Sequence, residues 1–189
     1  MVSCKQQSQS QIRMKRSHLF LGLFALCSFL SMSCEKNEEE ISGGVELYLL
    51  ESFENIGQTC GIELSTVVTK EEPLIRYVEF KSYNSKDFAF KITDTARGKI
   101  DSLEHSVIGI PFAVTADEEV IYTGYFWPGY SSAMCEWIVI DPLLLIWREK
   151  NTMWLELGYP GLIEGTVIPD ERNNEKILNI FRRDNKLIE

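Results

Sequence analysis

The chain has 189 residues, 44% hydrophobic and 25% charged, with a formal net charge of −9. Positions 1–33 hold four cations (Lys5, Arg13, Lys15, Arg16) and no acid, so positions 34–189 carry 15 basic and 28 acidic residues, or −13 with His neutral. A surface that negative repels phosphate backbones and anionic headgroups, and Arg182-Arg183 is too small a basic patch to offset it. The charge therefore argues against nucleic-acid partners and leaves membrane attachment to a covalent anchor.

Arg13, Lys15 and Arg16 precede an uncharged apolar run from Leu19 to Leu30. Twelve helical residues rise only about 18 Å, against a hydrocarbon core of about 30 Å, so the run is too short to span. Cations, apolar run and small residues succeed one another as in a signal peptide over residues 1–33, and translation from Met14 would give it ordinary proportions. Ser31-Met32-Ser33-Cys34 resembles the lipobox of bacterial lipoproteins. The resemblance implies cleavage before Cys34 and acylation of its thiol, palmitate being such a chain, although Ser31 stands where Leu is usual. The rival reading is an ordinary signal-peptidase site that leaves Cys34 a free thiol. Residues 34–44 read as a solvated tether. Glu35, Glu38, Glu39 and Glu40 are similar to the acidic export signal of Bacteroidota lipoproteins, which implies an outer-membrane protein, lipid-anchored and either periplasmic or displayed at the surface.

Residues 45–189 read as one globular domain, large enough to bury a core. Val45, Leu47 and Leu49 alternate like one face of a strand, while Leu50 leaves a helix open. Leu74–Phe80 and Lys86–Ile92 read as a hairpin through Asn84-Ser85, with Phe88, Phe90 and Ile92 on one face. Thr93 or Asp94 should cap a helix carrying Ala96, Ile100 and Leu103 on one stripe. Gly98 inside it costs about 1 kcal/mol relative to Ala. Ile110–Thr115 and Val120–Phe126 form the strongest predicted hairpin, turning through Ala116–Glu119. Trp137–Ile140 suits a central strand and Met153–Leu157 another, the latter ended by Gly158-Tyr159-Pro160-Gly161. Asn173 or Asn174 should cap a last helix with Ile177, Leu178 and Phe181 inward and Arg182-Arg183 at its negative end. The sum is α+β: a mostly antiparallel sheet with two helices packed on one face.

Few residues point to chemistry. Cys60 and Cys135 either pair, closing a loop of about 75 residues in an oxidising compartment, or remain two buried thiols; a domain of this size does not require the staple. His105 is the single histidine beyond the signal region, and no metal-ligand spacing exists, so neither a metal nor another cofactor is expected. Ser131 or Ser132 with His105 and Asp141 would make a nucleophilic set on paper, without the Gly-x-Ser-x-Gly elbow. The most informative stretch is Tyr122–Ser132, where Trp127, Tyr130, Ser131 and Ser132 come after a strong strand and turn through Pro128-Gly129. Aromatics with polar handles on a turn suit a recognition surface for a protein or glycan; the plainer reading is that Phe126 and Trp127 fold back onto the core.

Pro111-Phe112-Ala113-Val114, Tyr122–Trp127, Asp141-Pro142, Gly158–Gly161 and Asp184–Leu187 are similar to a family of Bacteroidota lipoproteins without an established activity. Leu74 to about Tyr125 resembles the first periplasmic domain of the translocase component SecD, which implies a ferredoxin-like core. Three functional expectations result: a non-catalytic envelope module that binds a protein or glycan, an envelope hydrolase using Ser131 or Ser132 with His105, and a structural or assembly subunit marked by an exposed apolar patch or open sheet edge.

Overall fold

The computed structural model describes residues 43–189; the signal segment, Cys34 and the acidic tether through residue 42 lie outside the described residues. Strand β1 (Val45–Ser52) leads to β2 (Val68–Thr69), β3 (Phe80–Asn84) and β4 (Ala89–Ile92). Helix α1 (Asp94–Asp101) precedes β5 (Ile110–Ala116), β6 (Glu119–Phe126) and β7 (Cys135–Ile140). The one-turn helix α2 (Leu144–Trp147), β8 (Thr152–Trp154), β9 (Glu156–Tyr159), α3 (Glu175–Arg183) and β10 (Leu187–Ile188) complete the order. The architecture is α+β.

Two sheets form where one was expected. The larger runs β2-β1-β5-β6-β7-β9 and the smaller β10-β3-β4-β8. All pairings are antiparallel except β6–β7 and β3–β10. Both sheets and the helices share one core: Leu47, Phe112, Phe126 and Ile138 from the larger sheet meet Phe80, Tyr83 and Phe90 from the smaller. Ala96 and Ile100 of α1, and Ile177 and Phe181 of α3, close it. The aromatic rings sit close, Tyr83 and Phe90 at 4.6 Å and Phe90 and Phe181 at 5.7 Å between centroids. The opposite face of the larger sheet carries a second cluster of Leu50, Ile62, Tyr125, Trp127 and Trp137. Strand alternation explains the division: Tyr122 and Phe126 face the shared core, Tyr125 and Trp127 the other side.

Three expected strands are corrected. Leu74–Phe80 is not a strand: Ile75 makes only an isolated bridge to Leu47, and Tyr77–Glu79 is a 3-10 turn. The Glu79 carboxylate accepts the Arg76 backbone N–H at 2.9 Å, which bends the chain from one sheet into the other. Lys86–Phe88 is turn, because Asn84 Oδ1 accepts the N–H groups of Lys86 and Asp87 at 3.0 and 3.1 Å, and Phe88 has φ 50°. Met153–Leu157 breaks at Leu155: β8 pairs with β4 in the small sheet, β9 with β7 in the large one. The order β4, α1, β5, β6 matches the ferredoxin-like expectation, yet β4 lies in a different sheet from β5 and β6. In the last helix, Ile177 and Phe181 point inward as expected, with Ile180 beside them and Leu178 only half-buried.

Local signals held elsewhere. Thr93 caps α1, its side chain accepting from Ala96 N–H at 3.2 Å, and Asn174 caps α3 through Lys176 N–H at 2.9 Å. The β5–β6 turn places Asp117 and Glu118 at φ 49° and 68°, the left-handed geometry that matches strand twist in a two-residue hairpin. A Cβ added at Gly98 meets nothing within 4 Å. Gly98→Ala should therefore raise unfolding free energy by about 0.5–1 kcal/mol, read from urea denaturation; a loss of stability would contradict this account of α1.

Candidate functional site

The strands fix two ends. At the hairpin end, Gly44 carbonyl accepts Asp117 N–H at 2.9 Å, so the chain joins the domain beside the β5–β6 turn. Strand β6 then runs eight residues to the other end, a span of roughly 25 Å at about 3.3 Å per residue. There three loops meet. Ser131 Oγ donates to Val107 carbonyl at 2.5 Å, joining the loop before β5 to the loop after β6. Trp127 N–H donates to Ile140 carbonyl at 2.8 Å. A Cβ on Gly129 would sit 2.5 Å from an Asp141 carboxylate oxygen, so the turn after β6 lies against the segment leading to α2.

These loops and α2 expose apolar side chains: Val107, Ile108, Tyr130 and Leu143 from the loops, Ile146 and Trp147 from α2. Trp147 is 81% exposed and Tyr130 58%. Scattered apolar residues are ordinary on a protein surface, whereas several on adjoining loops are characteristic of contact surfaces.

The sequence-derived candidates divide. As a contact residue Trp127 is corrected, and the plainer expectation holds: it folds onto the core, 4% exposed, edge-on to Tyr125 at 5.9 Å, and pressed so close to Gly109 that a Cβ there would lie 2.6 Å from its ring. Ser131 is likewise buried, bridging two loops. Tyr130 and Ser132 are exposed. Sequence reasoning missed Val107, Ile108, Leu143 and Ile146, because the segments that carry them meet only in the fold. The Leu143–Trp147 run of apolar residues with no amphipathic period was the available signal.

The nucleophilic set does not assemble. Ser131 hydroxyl is bonded to Val107 carbonyl and accepts Ala133 N–H at 3.1 Å. His105 Nε2 lies 3.1 Å from Ile100 carbonyl, and its buried Nδ1 has no partner. Asp141 accepts Leu143 N–H at 3.0 Å. No hydrogen bond links serine to histidine among the described residues, and no group of three or more His, Cys, Asp or Glu there is arranged to hold a metal. No described helix is long and apolar enough to cross a membrane.

Cys60 and Cys135 are joined as a disulfide, with Cα atoms 5.7 Å apart, tying the loop after β1 to the start of β7. Beside that link, β6 and β7 diverge and leave a groove of about 470 Å³ that includes Ile62, Thr123 and Trp137 among its lining. Trp137 Nε1 donates to Thr123 hydroxyl at 3.0 Å across it. No protein-family model, curated protein or solved structure matches the chain.

Carboxylates support the hairpin end. The Arg183 guanidinium and then the Tyr77 hydroxyl hold the Asp184 carboxyl down at about 2, and Arg172 lowers that of Asp170. A carboxyl depressed on folding stabilises the fold above its unfolded value of about 3.9 and stops doing so as pH falls through the folded value. Stability to urea should thus decline from about pH 4 toward about pH 2, and Asp184→Asn should flatten that slope; an unchanged slope would remove Asp184 from the account. Replacing both cysteines (Cys60→Ala with Cys135→Ala) should lower unfolding free energy by about 3–5 kcal/mol, and denaturation midpoints equal to wild type would exclude the link from the folded protein.

Proposed function

We propose that the chain is a lipid-anchored envelope protein that holds a partner protein and performs no chemistry of its own. The observation carrying this is the exposed apolar end formed by Val107, Ile108, Tyr130, Leu143, Ile146 and Trp147, at the far end of β6 from the point where the chain joins the domain. The anchor would be an acylated Cys34 in the outer membrane, periplasmic or surface-facing, and the apolar end the contact surface. Apolar loops favour a protein partner over a glycan, since they supply contact area with few hydrogen-bonding groups. Membrane contact through lipid, no nucleic acid and no cofactor complete the reading.

An assembly subunit would also expose such an end. The described residues carry 14 basic and 24 acidic side chains, and that like charge opposes stacking of identical copies, so a different partner is favoured. The hydrolase reading draws no support from Ser131, whose hydroxyl is committed elsewhere. A ferredoxin-like core with two helices on one face rests on element order alone and adds nothing to function.

The test is a benzophenone photo-crosslinker placed at Tyr130 or at Asp117 in intact cells. One discrete adduct from Tyr130, absent from Asp117 and lost when Ile146 and Trp147 are changed to Ser, is expected. Adducts from Asp117 alone would put the contact surface at the hairpin end instead. Intact-mass analysis of the membrane fraction should find the leader gone and acyl chains on Cys34; an unmodified thiol would end the anchor reading.

A further inference from the structure

We infer that the cleft bordered by β6, the loop after β1 and the segment leading to α3 binds a small organic cation, a primary amine whose ammonium is carried on an apolar body. The cleft, of about 470 Å³, follows β6 from Thr123 to Glu119. Its volume lies within the range of small-molecule sites, about 300–1,000 Å³. Trp137 Nε1 donates to the Thr123 hydroxyl at 3.0 Å, and a Cβ on Gly124 would lie 2.7 Å from the Ile138 carbonyl, which bounds the cleft at that end. The loop after β1 supplies Ile62, Glu63 and Leu64, and the segment leading to α3 supplies Pro169, Glu171 and Asn174. The Cys60–Cys135 link fixes that loop to the start of β7, so this wall is set before a ligand arrives.

The lining states the chemistry. Ile62, Ile121 and Trp137 are buried and form an apolar interior. Ile56 and Leu64, 44% and 45% exposed, carry that surface out to the mouth, where an apolar ligand would remove it from water. Glu63, Glu119 and Glu171 are exposed and so stand at the rim, and no Lys or Arg among the described residues lines the cleft. Glu119 is paired with Lys176. The carboxylates of Glu63 and Glu171 have only neutral partners, the Ser65 hydroxyl and the Asn174 amide. Tyr122 is also part of the lining, and its buried hydroxyl has no hydrogen-bond partner among the described residues. Apolar walls with a few polar groups left to engage are the pattern of a small-molecule site. An anion would be repelled at the rim, and a sugar would bury hydroxyls against Ile62 and Ile121 without partners. A cation with an apolar body meets both demands, the body covered by the walls and the ammonium held between Glu63 and Glu171. This site is separate from the apolar loops and does not rest on the function proposed for them.

The test titrates the full chain in detergent micelles with 2-phenylethylammonium and follows the indole N–H signals of Trp137 and Trp147 by NMR. The comparison compounds are 2-phenylethanol, 3-phenylpropanoate and ethylammonium. Movement of the Trp137 signal alone is expected, with each comparison compound binding at least about tenfold more weakly. The double variant Glu63→Gln, Glu171→Gln should weaken binding about fivefold, and Leu64→Lys about tenfold or more; all three side chains are exposed, so the fold is kept. Added salt should weaken binding to wild type and leave the double variant little changed. Tyr130→Ala should bind as wild type does. Equal binding of the three phenyl compounds, an unaffected double variant, or no movement of the Trp137 signal at millimolar amine would each overturn the site. Movement of the Trp147 signal in its place, or loss of binding in Tyr130→Ala, would assign the amine to the apolar loops and overturn it too.

Discussion

The arrangement of both sheets depends on one buried cation. Arg172 donates to both Asp170 carboxylate oxygens at 2.8 and 2.7 Å and to Leu155 carbonyl at 2.6 Å. Its guanidinium lies 3.8 Å over the Phe88 ring, and its own carbonyl accepts Tyr83 hydroxyl at 2.8 Å. Leu155 is where the chain leaves the smaller sheet for the larger. Its carbonyl, at the crossing between strands, takes a donor from Arg172. Arginine meets that need because its planar fork serves carboxylate, carbonyl and ring face together, which lysine cannot do. Loss of the cation would strand a buried carbonyl and release the segment leading to α3, whose Phe181 completes the aromatic core.

The same crossing explains the cleft. Strand β7 is paired with β9, and β9 continues directly from β8, which is fixed in the smaller sheet. The course of β7 is thereby tied to the smaller sheet, while β6 follows the β5–β6 hairpin. Two strands with separate constraints stay together only where their ends coincide, at Tyr125–Phe126 and Val139–Ile140. Ile168 packs against the core clusters on both faces. The disulfide and the contact of Gly61 with Trp137 hold one wall. The cleft is a consequence of how the sheets are joined.

What was legible in the sequence was what adjoining residues decide. The caps at Thr93 and Asn174, the β5–β6 hairpin and the inward stripes of α1 and α3 come from local spacing. Segments whose fate depends on distant partners were misread. Leu74–Phe80 has strand composition, but the Glu79 carboxylate turns it. Met153–Leu157 has one continuous apolar pattern, and only Arg172, seventeen residues beyond Leu155, shows that it serves two sheets. The site behaved in the same way. Exposure of Tyr130 and burial of Trp127 were both among the readings of that turn, whereas the choice for Trp127 required the close approach of Gly109, and the apolar end required three segments to meet.

Polar groups argue the rest. Ser131, His105 and Asp141, the residues from which a hydrolytic site was conceivable, each bond to backbone of a neighbouring loop or helix. A hydroxyl bound to a carbonyl in this way is a structural tie, and freeing it for nucleophilic attack would separate the loops that expose Val107 and Tyr130. Chemistry and presentation would then compete for the same side chain. In the folded protein Ser131 braces the loops from within, and Val107, Ile108 and Tyr130 occupy their outer surface.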